Sequence, residues 1–240
     1  MSVYEAAFAD LIGGRVLDVT TGEGGFTQIL LRYLEGCSQI VGIDTSEIGL
    51  KKAQSNTDSQ VIQFAQMNAG GQGFEKHSFN NVNISASLHH LANVPEILME
   101  MKRVLKPGGH FIITEMHRDG MTDAQLNSVR IHHWAARVDT ALGSVHDRTF
   151  SRQEVLDFVD DLGLYNVVTH DFNDRNSDPM DGEAINSVVG YLDRYIKRAQ
   201  TISNNEGLIM QGEELYSSLH EKGVQREPVL VVIGEKAEIL

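Results

Sequence analysis

A single cysteine, Cys37, stands among the 240 residues, which removes both an internal disulfide framework and any zinc cluster built on thiolates. No apolar run approaches the ~18 residues that a bilayer-spanning helix requires. The first residues, MSVYEAAFADLIGG, carry acids and no apolar core of signal-peptide type. The expectation is therefore a cytoplasmic protein without membrane insertion. Basic residues are also in short supply, 20 Lys and Arg against 33 Asp and Glu, for a net charge of −13. They are scattered, and the pair Lys197-Arg198 lies in an otherwise mixed helix. Nucleic-acid binders cluster their cations against phosphates, so nucleic acid and anionic membrane surfaces are poor partners. What remains is ordinary: 41% hydrophobic and 22% charged residues, enough for one self-sufficient domain over 1–240.

Strand patterns alternate with amphipathic helix patterns, which predicts a mostly parallel sheet with helices on both faces. Residues 4–11 read as a leading helix and 15–19 as a buried strand. A Gly-rich turn and a helix to about residue 34 follow. Further strands are expected at 39–43, 60–66, 82–86, 110–115 and 165–171, and an all-apolar last strand, PVLVVIG, at 228–234. Helices are expected at 48–54, 94–104, 122–142, from Ser151 to about Gly163, over the face set by Ile185, Val188, Val189 and Leu192, and at 212–219. Ser151-Arg152-Gln153-Glu154 fits a capping box. The acidic, Asn-rich stretch 173–182 reads as a solvated linker. It fails as a calcium loop, because Pro179 and Ile185 stand where glycine and a bidentate glutamate belong.

The most informative stretch is Val16-Leu17-Asp18-Val19-Thr20-Thr21-Gly22-Glu23-Gly24. A buried strand enters a tight Gly turn that opens a helix, where backbone N–H groups are free to meet a ligand. Asp44 follows Gly24 by 20 residues at the end of the next strand, a position from which an acid can accept both hydroxyls of a ribose. A dinucleotide fingerprint, G-x-G-x-x-G, would need glycine at Thr27. Asp18 would also repel a pyrophosphate, whereas it can order a loop that holds a cationic ligand.

These motifs resemble the class I S-adenosylmethionine (SAM) dependent methyltransferases, nearest to the small-molecule group of ubiquinone and menaquinone biosynthesis. The resemblance runs from Val16 to Glu115 in unbroken order. It includes Met67-Asn68-Ala69 at the adenine position, FNNVNISASLHHL at 79–91 and LKPGGHFIITE at 105–115. It implies a Rossmann-like α/β fold with a seven-stranded sheet, the last strand antiparallel beside the fifth. It implies SAM as cofactor, with S-adenosyl-L-homocysteine as product. The implied cofactor residues are Asp18, Thr20, Gly22, Gly24, Asp44, Thr45, Met67, Asn68, Ala69, Ile84, Ser85 and Ala86. Thr20, Asn68 and Asn80 depart from the family pattern, where Gly or a small residue, Asp and Asp are usual. Those departures support one alternative, a SAM-binding module that senses without catalysing.

No Asn/Asp-Pro-Pro-aromatic signature follows the fourth strand, so the expected acceptor is a small molecule reacting through oxygen, carbon or nitrogen. His89 and His90 directly follow that strand. They are candidates for a general base, or for side chains that only shape the pocket. His117, Arg130, His133 and Trp134 are candidate acceptor contacts. Arg130, His133 and Arg137 share a helical face that suits an anion or simply solvent. No metal is expected: His132 and His133 point about 100° apart on a helix, and no His-Glu-x-x-His pair is present. The segments 118–145 and 181–222 exceed what the core fold needs and should form a helical lid over the site. Their apolar residues also suit a homodimer interface.

Overall fold

The computed structural model describes residues 3–71 and 73–238. Among the described residues, seven strands form one sheet in the order β3-β2-β1-β4-β5-β7-β6. Strands β1 (Ile12–Val19), β2 (Glu35–Asp44), β3 (Ile62–Gln66), β4 (Phe79–Ser85) and β5 (Leu105–Met116) run parallel, and β7 (Val229–Glu235) inserts antiparallel between β5 and β6 (Tyr165–Phe172). This is the class I methyltransferase topology.

Period-two alternation divides the sheet into two buried faces. Leu17, Val82, Ile84, Ile113 and Val232 face α4 (Val94–Val104) and α6 (Arg152–Asp161), which contribute Leu98, Met101, Val155 and Val159. Their neighbours Val16, Ile40, Ile112 and Val231 face the other way, toward Leu30 of α2 (Gly25–Tyr33) and toward Ala7 of α1 (Val3–Ala7). Every residue from Val229 to Gly234 is buried, as an all-apolar strand requires.

Helix α3 (Glu47–Ser55) starts on Ser46, whose hydroxyl accepts from Gly49 N. Thr122 and Ser151 cap α5 (Asp123–Ala141) and α6 through complete capping boxes with Gln125 and Glu154. The leading helix is shorter than its periodicity predicts, ending at Ala7, and Ala86 lies outside β4. The Lys106-Pro107-Gly108-Gly109 turn appears as a bulge inside β5: Phe79 pairs with Leu105, and Asn81 already pairs with His110. A Cβ on Gly109 would fall 2.6 Å from Asn80 O, so the bulge folds tightly on β4.

A third apolar cluster sits apart from the sheet. Here α5 packs against α7 (Gly182–Ala199) and α8 (Glu206–Lys222) through Ile131, Trp134, Val138, Leu192 and Leu219. Helix α8 begins six residues before the predicted Gly212. The stretch 173–182 is exposed or half-buried throughout, as a solvated linker should be, but it is pinned at two points. Asn173 Oδ1 accepts from Gln125 Nε2 at 2.7 Å, and Pro179 O accepts from Val224 N at 2.8 Å. Among the described residues no helix is long and apolar enough to cross a membrane.

Gly212 brings α8 onto α5. A Cβ there would lie 2.4 Å from the Trp134 ring, whose indole N–H donates to Leu208 O at 2.9 Å. Gly212→Val is expected to force the two helices apart and to cost about 1–3 kcal/mol, read by urea unfolding. An unchanged midpoint would show that α8 does not depend on this contact.

Candidate active site

The five parallel strands end at one edge of the sheet, and the turns leaving β1, β2, β3 and β4 build the site there. The turn after β1 is held from beneath by Asp18. Its Oδ2 accepts from the Thr21 and Thr27 hydroxyls, both at 2.7 Å, and its Oδ1 accepts from Asn83 Nδ2 at 2.6 Å. Burial pushes the Asp18 carboxyl up, and the three hydrogen bonds pull it back. Asp18 thus ties β1, the turn, α2 and β4 together and also borders the cavity above.

Asp44 ties the same turn to β2. Its Oδ2 accepts from Gly22 N at 2.9 Å and its Oδ1 from Ser46 N at 2.8 Å. Each oxygen keeps a further lone pair toward the cavity. Gly22 has φ 54 and nothing within 4 Å of where a Cβ would stand, so its backbone offers an open face. Gly24 caps α2 with φ 79, and a Cβ there would lie 3.0 Å from Ala53.

Two cavities lie along this edge. One, of about 510 Å³, is bounded by Gly22, Asp44, Thr45, Met67, Asn68, Ala69 and His90. The other, of about 310 Å³, is bounded by Tyr4, Asp18, Phe26, Ser85, Arg226 and Glu227. Thr20 and Ala86 border both. These two residues follow neighbouring strands β1 and β4 and have φ 58 and φ 46, the left-handed region that non-glycine residues avoid. Thr20 stands where glycine or a small residue is usual in the resembled family, and its backbone adopts the conformation that glycine favours. Ile84 is fully buried beneath the site and supports it without bordering either cavity.

The other departures resolve differently. Asn68 Oδ1 accepts from Gly70 N at 2.9 Å, so one of its lone pairs closes a local turn. Asn80 lies at the opposite edge of the sheet, accepting from Arg15 N and Lys106 Nζ. It has no part in the site.

Residues from the far ends of the chain complete the second cavity. Arg226 and Glu227 precede β7 with only Pro228 between, and antiparallel β7 begins at the edge where β5 ends. Burial raises the Glu227 carboxyl pKa. Both residues also border a third cavity, of about 400 Å³, between α5 and α7, lined by Ile131, His132, Val188 and Tyr191. Neither Tyr4, Arg226 nor Glu227 carries a motif. Only the antiparallel direction of the last strand points to the latter two.

The histidines separate by role. His90 borders the first cavity, and partial burial with His89 and His146 beside it lowers its pKa to about 4. His89 is buried on the 3-10 turn Leu88–His90 and borders none of these cavities. His133 turns to the loop after α5, its Nε2 accepting from Thr149 N at 3.2 Å. His132 turns the other way, its Nε2 lying 3.2 Å from His146 Nε2. The helical argument therefore holds for the adjacent pair, but it does not separate His132 from histidines on other elements. His117 is buried between β5 and its following loop, with Nδ1 accepting from Asp119 N, away from the cavities. Arg130, His133 and Trp134 border a groove of about 900 Å³ between α5 and α8, with Arg137 and Arg148. Trp134 is held there by packing.

A family description of the methyltransferase domain matches residues 12–161. The phthiotriol/phenolphthiotriol dimycocerosates methyltransferase of Mycobacterium leprae is 35% identical over 112 residues, 46% of this chain and 41% of that protein. The demethylmenaquinone methyltransferase of Lactococcus lactis subsp. lactis is 35% identical over 109 residues, 44% of this chain and 43% of that protein. The chain thus matches less than half the length of these relatives. Among solved structures, phosphoethanolamine N-methyltransferase 2 of Haemonchus contortus, in complex with S-adenosyl-L-methionine, superposes with a TM-score of 0.57 at 16% identity. That match covers 98% of this chain and 52% of the other. It shows the shared fold.

The Asp18 network makes a prediction independent of any ligand. Asp18→Ala removes the acceptor of three buried hydrogen bonds, leaving Asn83 Nδ2 unpaired and the Thr21 and Thr27 hydroxyls with only each other, 2.6 Å apart. It is expected to cost about 3 kcal/mol, measured by chemical unfolding. A loss below about 1 kcal/mol would mean that the turn is held by something else.

Proposed function

The chain belongs to the methyltransferase-domain family, and from that premise we propose that it transfers the methyl group of SAM to a small, partly apolar acceptor. The observation that carries this reading is the pair of cavities meeting at Thr20 and Ala86, with an acid at one end and a cation at the other. Adenosine fits the first cavity, its ribose hydroxyls donating to Asp44 and its base lying along Met67, Asn68 and Ala69. The methionyl group fits the second, its carboxylate meeting Arg226 and its ammonium lying near the turn that Asp18 orders. The sulfonium then falls at the Thr20–Ala86 junction.

The body of the acceptor fits the third cavity, which meets the second at Arg226 and Glu227, and its reacting atom extends past them toward the Thr20–Ala86 junction. Its lining of Ile131, Val188 and Tyr191 suits a planar or apolar molecule, as do the relatives named for quinone and phthiotriol substrates. Helices α5, α7 and α8 act as the lid, excluding water from a reactive sulfonium. In-line displacement needs chiefly alignment. Of the two candidate bases, His90 borders the adenosine cavity and His89 is sealed behind it. Neither borders the acceptor cavity, so transfer rests on alignment and not on a dedicated base. The sensor alternative loses one of its supports, because Asn80 is remote from the cavity.

Ligand dissection tests the assignment. Asp44→Ala is expected to weaken S-adenosyl-L-homocysteine and 5′-methylthioadenosine alike, by about 1.5–3 kcal/mol. Arg226→Ala is expected to weaken S-adenosyl-L-homocysteine by roughly tenfold or more while sparing 5′-methylthioadenosine, which lacks the amino-acid group. Calorimetry that found Asp44→Ala unchanged, or Arg226→Ala equally harmful to both ligands, would overturn this placement.

A further inference from the structure

Between the cofactor cavity and the lid, three imidazoles from three separate elements converge. His89 comes from the 3-10 turn after β4, His132 from the middle of α5, and His146 from the loop that returns beneath it. Each offers one nitrogen, and these nitrogens all lie within 4.8 Å of one another. The returning loop is fixed in place: Asp147 N donates to His89 O at 2.7 Å, and Ser144 N donates to Asp139 O at 3.0 Å.

His89 is only 1% exposed, yet neither of its ring nitrogens has a hydrogen-bond partner. A buried polar group left unpaired costs about 1–3 kcal/mol; Glu115 stands near Nδ1, which leaves Nε2 as the nitrogen for which the protein supplies no partner. His146 Nδ1 lies 2.7 Å from Asp139 Oδ2. Donation of that proton to the carboxylate leaves the His146 Nε2 lone pair facing His132. Asp139 is anchored in turn by the Tyr195 hydroxyl at 2.9 Å and by Arg198 at 2.6 Å. Behind His89 stands a second buried carboxylate, Glu115, 3.4 Å from Nδ1. Its Oε2 is fixed by the backbone N–H groups of Ser87 and Leu88. A carboxylate behind an imidazole is the arrangement that orients histidine ligands on a metal.

We propose that His89, His132 and His146 form a binding site for a divalent transition-metal ion, zinc-like in its preferences, with Asp139 and Glu115 as its orienting carboxylates. Three imidazoles without thiolate or carboxylate donors suit zinc and its first-row neighbours rather than magnesium or calcium, which take oxygen ligands. The 3.2 Å between His132 Nε2 and His146 Nε2 is close to the edge of a tetrahedron with metal–nitrogen bonds of ~2.0 Å, roughly 3.3 Å, and the His89 nitrogen, within 4.8 Å of both, closes on the ion by a small side-chain shift. Three protein ligands leave a fourth position open. His132 also borders the cavity between α5 and α7, so that position is available to an oxygen of the acceptor. This last step rests on the methyl-transfer reading above; the metal site does not.

The test uses metal alone, without SAM or acceptor, so its failure and the failure of the methyl-transfer reading remain distinct. Tag-free full-length protein, dialysed against chelator, is titrated with Zn²⁺ by calorimetry and with Co²⁺ by visible absorption. One ion per chain is expected, with the strong visible band of four-coordinate cobalt. His132→Ala and His146→Ala should each weaken binding at least ~100-fold, and Asp139→Asn roughly 10–100-fold. Arg130→Ala, on α5 but outside the cluster, should bind as wild type. If the histidine variants do not fold, Asp139→Asn and the cobalt spectrum of the wild type decide. No saturable binding in the wild type, the faint band of six-coordinate cobalt, or Zn²⁺ affinity unchanged in folded His132→Ala or Asp139→Asn would overturn the proposal.

Discussion

The buried Asp18 carboxylate is the interaction on which the site depends. A charge inside the first strand of a sheet is costly unless it is bonded on every side, and here three neutral donors meet it. Because those donors come from the turn, from α2 and from β4, the same bonds that satisfy the acid also fix the geometry of the strand ends. Asp44 repeats the device one strand over, gripping the Gly22 backbone from the side. The turn after β1 is therefore held from below and from β2. This leaves Thr20 and Ala86 to adopt left-handed backbone where the two strands end side by side. Strain at such positions persists only where the surroundings over-determine it, and the Asp18 and Asp44 bonds do so.

Helix α5 plays a comparable part on the other side of the cavities. Its apolar face carries Trp134 and Val138 into the cluster with α7 and α8. His133 and His132 leave it in opposite directions, one to Thr149 and the other to His146. The loop after α5 is thereby folded back over the 3-10 turn, bringing His146 beside His89. The sheet edge and the lid helices are joined through histidines and buried carboxylates rather than through a continuous apolar core. Such a seam is polar, specific and adjacent to the proposed reacting centre.

Much of this was legible in the residues. The glycines at 22 and 24 with an acid 20 residues on, the capping box of α6, and the apolar run of β7 each carry a local physical signature, and each element lies where that signature put it. What escaped depends on contacts between distant segments. The Leu88–His90 turn is three residues long and has no periodicity. Tyr4, Arg226 and Glu227 reach the cavity because α1 and antiparallel β7 deliver them there, a fact of topology rather than of pattern. The convergence of His132 and His146 depends on a returning loop, and helical spacing speaks only to residues on one helix. Asn80 misled for the opposite reason: its place in a motif suggested a cofactor role, while the β5 bulge claims its side chain at the far edge.

The account's central claim is that the two cavities joined at Thr20 and Ala86 are one site for the cofactor. A crystal structure with S-adenosyl-L-homocysteine bound tests it most directly. The claim predicts both ribose hydroxyls on the Asp44 carboxylate, the sulfur between Thr20 and Ala86, and the amino-acid carboxylate toward Arg226. A nucleoside bound with its ribose away from Asp44, or an amino-acid group directed out of the second cavity, would contradict it.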